Sequence, residues 1–390
     1  MQKRLSNLMP WLPTIIVAAA VALLAAVQPP PRKHAGPVRA HEGPPVIRIG
    51  FLPNVTHAQA LLAQAGGQYD AALGGPVEWV PFSVGPLAIE AMFAGDIDAA
   101  YVGPNPAING YLRSRGESFV VVSGAASGGA ALVVAPQFAQ ASASPVADAF
   151  RTAIVATPQL GNTQDVAARN YFAGKGLATV ERGGTLKIMP LSPADQLVML
   201  RRGELDAAWT IEPWVSRLEQ EAGGKVLLEE SALWPDGRYA TTALIVTRRF
   251  LQQKPELVRQ LIAAHVDLTR TLNADKLAAA PHINKQLRLL TSKSLPDRVI
   301  ESSLQRIEFT WDPLESTLVK SADDAFRIGF LRTKPDLTGL VDMTILKEIV
   351  GDAKDKMKSP DSNSSPASFS QDPLTPALSP AAGARGPEVR

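Results

Sequence analysis

The sequence predicts an α/β protein of two similar lobes, hinged around a ligand cleft, and three observations carry that prediction. The first is an echo. Ala94-Gly95-Asp96-Ile97-Asp98-Ala99-Ala100-Tyr101 returns as Arg202-Gly203-Glu204-Leu205-Asp206-Ala207-Ala208-Trp209. Gly95 and Gly203 each close an apolar helical run, where a helix C-cap calls for positive φ, and a short apolar strand stopped by a proline follows each. The second lies upstream, where Val80-Pro81-Phe82-Ser83 matches Met189-Pro190-Leu191-Ser192 as a strand end leading into a helix. Two β-α-β units of one plan imply two lobes, and open α/β sheets hold ligands beyond the carboxyl ends of their strands. The third is a pair of apolar runs, residues 130–135 and 241–246, suited to strands that cross between lobes and would serve as the hinge.

Composition bounds the rest. A chain of 390 residues with 46% apolar content has material for two or three cored domains. The net charge of +2 gives no nucleic-acid footprint. Cysteine is absent, which excludes disulfides, thiolate chemistry and a lipid-anchoring cysteine. Lys3 and Arg4 precede an uncharged run over 15–27 and then Gln28-Pro29-Pro30-Pro31, the pattern of an export signal. Pro10 and Pro13 shorten its helical part below the roughly 18 residues that span a bilayer. The segment is expected either to be cleaved near Ala25-Ala26 or to remain as an N-terminal anchor, and both place the domain outside the cytoplasm.

Taken in order, residues 1–45 are expected to be this signal or anchor plus a Pro-rich tether. Residues 46–51 alternate into a first strand, 52–57 form a loop and 58–66 a helix. Residues 77–82 are a strand, and the first echo follows. Residues 119–122 are a strand closed by the run Ser123-Gly124-Ala125-Ala126-Ser127-Gly128-Gly129, which reads as flexible. Residues 139–145 form an Ala/Ser linker, 153–156 a buried strand, and 186–189 the strand before the second echo. Residues 255–272 show an apolar face of Leu257, Leu261, Ile262 and Val266 at helical spacing. Further helices to about residue 350 are expected to pad the first lobe. The lobes are expected at 46–134 with 243–350 and at 135–242, and residues 351–390 as a disordered tail.

Candidate ligand-binding residues sit at the strand ends. Gly161, Asn162 and Thr163 lie between a buried strand and a helix start, where free N–H groups and the dipole suit an anion. Alternatively Asn162 only caps that helix, with Asp165 as its capping-box partner. Asn54, Thr56 and His57 occupy the first strand-to-helix turn, where His57 can donate to an oxoanion or simply start the helix. Ser83 and Asn105 follow the next strands of that lobe. Ser123 and Ser127 add hydroxyls, or belong to a plain mobile loop. Trp209 and Trp214 are expected as cleft walls against an organic solute, with core packing as the alternative. Glu212 can hold an ammonium group, but is better read as accepting backbone N–H groups from the opposite lobe. Asp98 and Asp206 are expected to pin the glycine turns rather than act as acid and base. No His, Cys or carboxylate stands near His57 at metal-ligand spacing, so neither metal nor cofactor is expected.

Four short runs, Phe51-Leu52-Pro53-Asn54, Gly95-Asp96-Ile97-Asp98 with Gly103-Pro104, Gly161-Asn162-Thr163 and Glu212-Pro213-Trp214, come in an order that resembles a known family. Over residues 46–350 the chain resembles the type II periplasmic solute-binding proteins of the nitrate/sulfonate/taurine class of ABC importers, which also include thiamin-precursor binders. The resemblance implies the two-lobed, hinged periplasmic-binding-protein-like fold, closing on a small anionic or zwitterionic solute and docking on an ABC permease in the inner membrane. It implies a periplasmic monomer without a cofactor or nucleic-acid partner. The chain has no nucleotide loop, G-x-S-x-G elbow or H-E-x-x-H, so the parts of an enzyme are missing. Two rivals stand beside this expectation: a thiamin-precursor-type enzyme or binder on the same fold, with His57 as the reactive residue, and a membrane-anchored sensor domain.

Overall fold

A computed structural model describes residues 46–141 and 146–358. The expected signal and tether, part of the 139–145 linker, and the tail from 359 onward lie outside the described residues. The strands are β1 (Ile47–Phe51), β2 (Val77–Pro81), β3 (Ala99–Val102), β4 (Phe119–Gly128), β5 (Ala130–Val134), β6 (Ile154–Thr157), β7 (Lys187–Pro190), β8 (Ala207–Ile211), β9 (Lys225–Glu229), β10 (Ala240–Thr247) and β11 (Ile307–Phe309). They form two sheets, six strands in the order β11-β4-β10-β3-β1-β2 and five in the order β7-β6-β8-β5-β9. The architecture is the expected two-lobed α/β fold, one sheet to each lobe.

The echo explains why the two sheets are built alike. Gly95 (φ 77°) and Gly203 (φ 72°) end their helices in the left-handed region. At each, the glycine N–H and the next N–H turn back onto the helix: Gly95 to the Met92 carbonyl and Asp96 to Ala91, then Gly203 to Leu200 and Glu204 to Met199. The aspartates do something other than pin these turns. Asp98 accepts the N–H of Arg48 at 3.0 Å and Asp206 that of Ile154 at 2.8 Å, so each carboxylate fixes the start of the neighbouring parallel strand. Their own N–H groups return to the Arg48 and Ile154 carbonyls. Each pair locks strand register at one point.

Over residues 123–128 the run is not a loop. It continues β4, buried throughout, because its small side chains let the 307–313 segment approach. A Cβ on Gly124 would stand 2.0 Å from the Asp312 carbonyl oxygen, and Ser123 donates to the Trp311 carbonyl at 3.1 Å. The lobe crossings also lie elsewhere than expected. Residues 130–135 and 241–246 are sheet interior, with β5 paired to β8 and β9, and β10 to β3 and β4. The outward crossing is Gly128-Gly129, both at positive φ, and the return is the pair of 3-10 turns Glu230–Leu233 and Pro235–Gly237. Trp234 stacks on Tyr239 there at 5.3 Å, and the buried Glu230 accepts both the Trp209 indole N–H (2.7 Å) and that of Trp234 (3.4 Å).

The helices Ala58–Gly66, Gln68–Leu73, Pro255–Ala274 and Lys276–Thr291 cover one face of the first sheet around Ile49, Phe51, Leu61, Leu261 and Ile283. Behind them runs a buried polar chain. His265 Nε2 bonds the Gly124 carbonyl at 2.7 Å, which leaves Nδ1 to accept the Tyr101 hydroxyl at 2.9 Å, and Tyr69 meets Tyr101 at 2.6 Å. The later helices do not all pad this lobe. Asp297–Arg306 packs both on Lys276–Thr291 of this lobe and on Trp214–Ala222 of the second, and Glu315–Arg327 lies between Pro104–Arg113 and Thr163–Gly174, one helix from each lobe. The last helix, Thr344–Lys358, runs through Gly351, past the expected end of the folded chain. Among the described residues no helix is long and apolar enough to cross a membrane.

Candidate functional site

The lobes meet where two helix starts face each other. In the first lobe, Gly103-Pro104-Asn105-Pro106 opens the Pro104–Arg113 helix. Its prolines carry no N–H, so Asn105 is the main-chain donor that this turn retains. Asn105 N–H points to Thr163 Oγ1 of the second lobe at 3.4 Å. A Cβ on Gly103 would lie 3.1 Å from that oxygen, so the contact depends on glycine. Asn105 is 1% exposed, yet neither atom of its carboxamide has a hydrogen-bond partner. A buried polar group left so costs about 1–3 kcal/mol, which a ligand's donor and acceptor would recover.

Across the contact, the Thr163–Gly174 helix starts as a capped turn. Asn162 Oδ1 accepts the Asp165 N–H at 2.8 Å, which makes Asn162 a cap. Asp165 is wholly buried and takes the Thr157 hydroxyl (2.7 Å), the Gly161 N–H (2.9 Å) and Arg169 Nε (3.1 Å). The chain's own carboxylate therefore consumes the Gly161 donor expected for an anion. By helix geometry the Thr163 and Gln164 N–H groups have no acceptor within the helix, and the dipole's positive end adds to them.

The turn after β1 carries Asn54, Thr56 and His57. Asn54 Oδ1 accepts the N–H (2.9 Å) and hydroxyl (3.0 Å) of Thr56, so these two side chains hold the turn together. His57 Nδ1 accepts the Leu52 N–H at 3.3 Å, which assigns the proton of the neutral ring to Nε2. Burial pushes the His57 pKa down to about 3, so the ring stays neutral and offers an N–H without a charge.

The remaining expected residues differ in their surroundings. Ser83 is exposed on the first lobe. Ser123 is spent on the Trp311 carbonyl, and Ser127 accepts the Tyr239 N–H at 3.2 Å. Trp209 is 0% exposed in the second lobe's core, its indole turned to Glu230, and is no cleft wall. Trp214 is half-buried against the second lobe's core, with the Arg217 guanidinium 4.4 Å over its ring. Glu212 is buried and bonds the Ser216 N–H and hydroxyl (3.0 and 2.8 Å), the Ser303 hydroxyl (3.0 Å) and Arg306 (3.0 Å), so across the lobes it meets side chains rather than backbone. Burial raises its pKa, with the Ser216 and Arg306 bonds acting against that.

Sequence reading missed the Thr210 and Thr242 hydroxyls, both buried without a partner, and Arg306. None stands in a motif; burial marks the two threonines, and three carboxylate partners mark Arg306. Among the described residues no cluster of three or more His, Cys, Asp or Glu side chains could hold a metal.

Known proteins resemble this chain in sequence and in fold. The NMT1-like family model matches residues 40–286. The taurine-binding periplasmic protein of Escherichia coli (strain K12) is 25% identical over 236 residues, 59% of this chain and 69% of that one. Among solved structures, the alkanesulfonate-binding protein SsuA from Xanthomonas axonopodis pv. citri, bound to MOPS, superposes with a TM-score of 0.61 at 20% identity, covering 77% of this chain and 99% of that one. The periplasmic nitrate-binding protein NrtA from Synechocystis PCC 6803 gives 0.66 at 15% identity, with 80% and 90% covered. At these identities the two structures speak for the fold.

Proposed function

The chain belongs to the NMT1-like family, and from that premise we propose that it is a solute-binding protein working outside the cytoplasm. It captures a small anionic or zwitterionic solute of the sulfonate, taurine or nitrate kind between its lobes and delivers it to an ABC permease. The observation that carries this reading is the Asn105 carboxamide, buried at the lobe contact with both its donor and its acceptor unused. The Asn105 main-chain N–H meets Thr163 at the start of its helix, and in this reading the first N–H groups of that helix help to wrap an oxoanion without any formal counter-charge. Asn105 Oδ1 can take an ammonium group while Nδ2 holds an oxygen, which suits a zwitterion. The Asp165–Arg169 ion pair on the Thr163 helix has its own partners, with Arg169 also reaching Glu181 and the Ile188 carbonyl. His57, neutral down to about pH 3, has no proton to shuttle near neutrality and serves as a fixed donor in this reading.

The test is calorimetry with taurine, an alkanesulfonate and nitrate on protein stripped of bound solute by unfolding and refolding. Since a hydrogen bond to a charged group is worth about 1.5–3 kcal/mol, Asn105→Ala and Thr163→Ala should each weaken the bound solute about tenfold or more. Wild-type affinity in both variants would place the site wrongly. Binding of none of the three solutes would remove this solute class.

A further inference from the structure

The Glu212-Pro213-Trp214 motif lies outside the solute contact, and the structure gives Glu212 a different set of partners. Arg306 ends the Asp297–Arg306 helix, directly before β11 of the first sheet. Its guanidinium meets three carboxylates of the second lobe: Glu212 at 3.0 Å, Glu219 at 2.7 Å and Glu229 at 2.9 Å. Ser303, one turn earlier, adds its hydroxyl to Glu212 at 3.0 Å. The cluster sits on the outward crossing. Glu212 N–H donates to the Gly129 carbonyl at 2.8 Å, Ile307 is registered against Gly128, and a Cβ on Gly128 would stand 2.8 Å from the Arg306 carbonyl oxygen. A cavity of about 290 Å³ lined by Ser127, Gly129, Glu229, Lys276 and Arg306 leaves the crossing room to turn.

We propose that Arg306 is a positioning residue that latches the two lobes together, with Glu212 as its buried catch, and so sets the closed geometry that brings Thr163 against Asn105. The asymmetry of burial gives the latch its force. The Glu212 side chain is 0% exposed, against 29% for Glu219 and 41% for Glu229. A buried carboxylate stripped of its cation is strongly unfavourable, and the lobes can relieve that by parting at Gly128-Gly129 so that water reaches Glu212. Glu219 and Glu229, already wet, hold the guanidinium on Glu212 and contribute a smaller share of the latch.

The proposal rests on the two-lobed reading but needs no solute, so its failure would leave the proposed function standing. The chain has no cysteine, so Leu87→Cys (50% exposed, first lobe) and Val180→Cys (54% exposed, second lobe) can carry a unique pair of spin labels on the full chain. In the solute-free protein, Arg306→Gln should raise the fraction of lengthened inter-lobe distances about tenfold, within the range that loss of a buried partner allows. Arg306→Gln with Glu212→Gln, which leaves two neutral amides beside Ser216 and Ser303, should bring the distances back. The milder Glu219→Gln/Glu229→Gln pair keeps Glu212 and Arg306 together and covers the case in which Arg306→Gln does not fold; it should give a smaller lengthening. Unchanged distances in Arg306→Gln, or equal lengthening with and without Glu212→Gln, would overturn the proposal. If Arg306→Gln does not fold, unchanged distances in the milder pair would do so.

Discussion

At the scale of single residues, the contact between lobes turns on one missing methyl group. Gly103 has ordinary backbone angles (φ −70°, ψ 159°), so an alanine there carries no backbone strain. Its Cβ would sit 3.1 Å from Thr163 Oγ1, closer than side chains normally approach. Gly103→Ala is therefore expected to push the lobes apart while leaving each lobe intact, at a cost of about 1 kcal/mol in thermal unfolding, the low end for an overpacked site. Replacing Thr163 by alanine removes the opposing atom, so the double variant should lose less than the sum of the singles by about 0.5–1 kcal/mol. Strict additivity in a denaturation cycle would mean that the two residues do not touch. Asn105 and Thr163 were legible in the sequence because strand ends that pass into helices are where an α/β sheet exposes donors. Asn162 was legible only as an ambiguity, since capping and ligand binding ask for the same side chain. The bond to the Asp165 N–H resolves the Asn162 side chain into a cap.

At the scale of elements, β4 shows how composition misleads. A run of Ser, Gly and Ala is what a mobile loop looks like, and also what a strand needs when other backbone packs against its face. Gly124 separates the two cases. Alanine there would place its Cβ 2.0 Å from the Asp312 oxygen and 2.6 Å from its carbonyl carbon, both backbone atoms that no rotamer can move. Gly124→Ala should cost at least about 2–3 kcal/mol in denaturant unfolding. Gly174→Ala, in open space within a helix, should be neutral or mildly stabilising. A tolerated Gly124→Ala would restore the loop reading. The echo strands escaped this ambiguity because Gly95 and Gly203 precede aspartates at one fixed offset, and a repeated local geometry leaves a repeated sequence. Arg306 left no such trace: it meets Glu212 across 94 residues, and only folding brings them together.

For the whole molecule, buried titratable groups set a pH profile with opposed limbs. Burial lowers His57 to about 3 and His265 to about 4, the latter in spite of its bond to the Gly124 carbonyl. Both stay neutral in the folded chain while the unfolded chain takes up protons near the usual imidazole value of 6.5. Their stabilisation is complete above that value and is lost as pH falls from 6.5 toward 4 and then 3. At about 1.4 kcal/mol per pH unit per group, the pair costs about 5 kcal/mol by pH 4.5. Glu230 acts in the opposite sense: burial raises it to about 7 despite the two indole bonds, so the folded chain keeps a proton that the unfolded chain has released. Its penalty is absent below about pH 4.5, grows as pH rises through the window to 7, and is then constant at about 3 kcal/mol. The wild type is thus expected to lose a net ~3 kcal/mol between pH 6.5 and 4.5, with Glu230 masking part of the histidine term. Glu230→Gln keeps an acceptor for Trp209 and removes the charge. It should raise the melting temperature at pH 8, give no gain at pH 4.5, and steepen the loss between them. Melting curves of both proteins across this range decide the matter: parallel profiles would mean that Glu230 titrates as an ordinary carboxylate and that the histidines alone shape the acid limb.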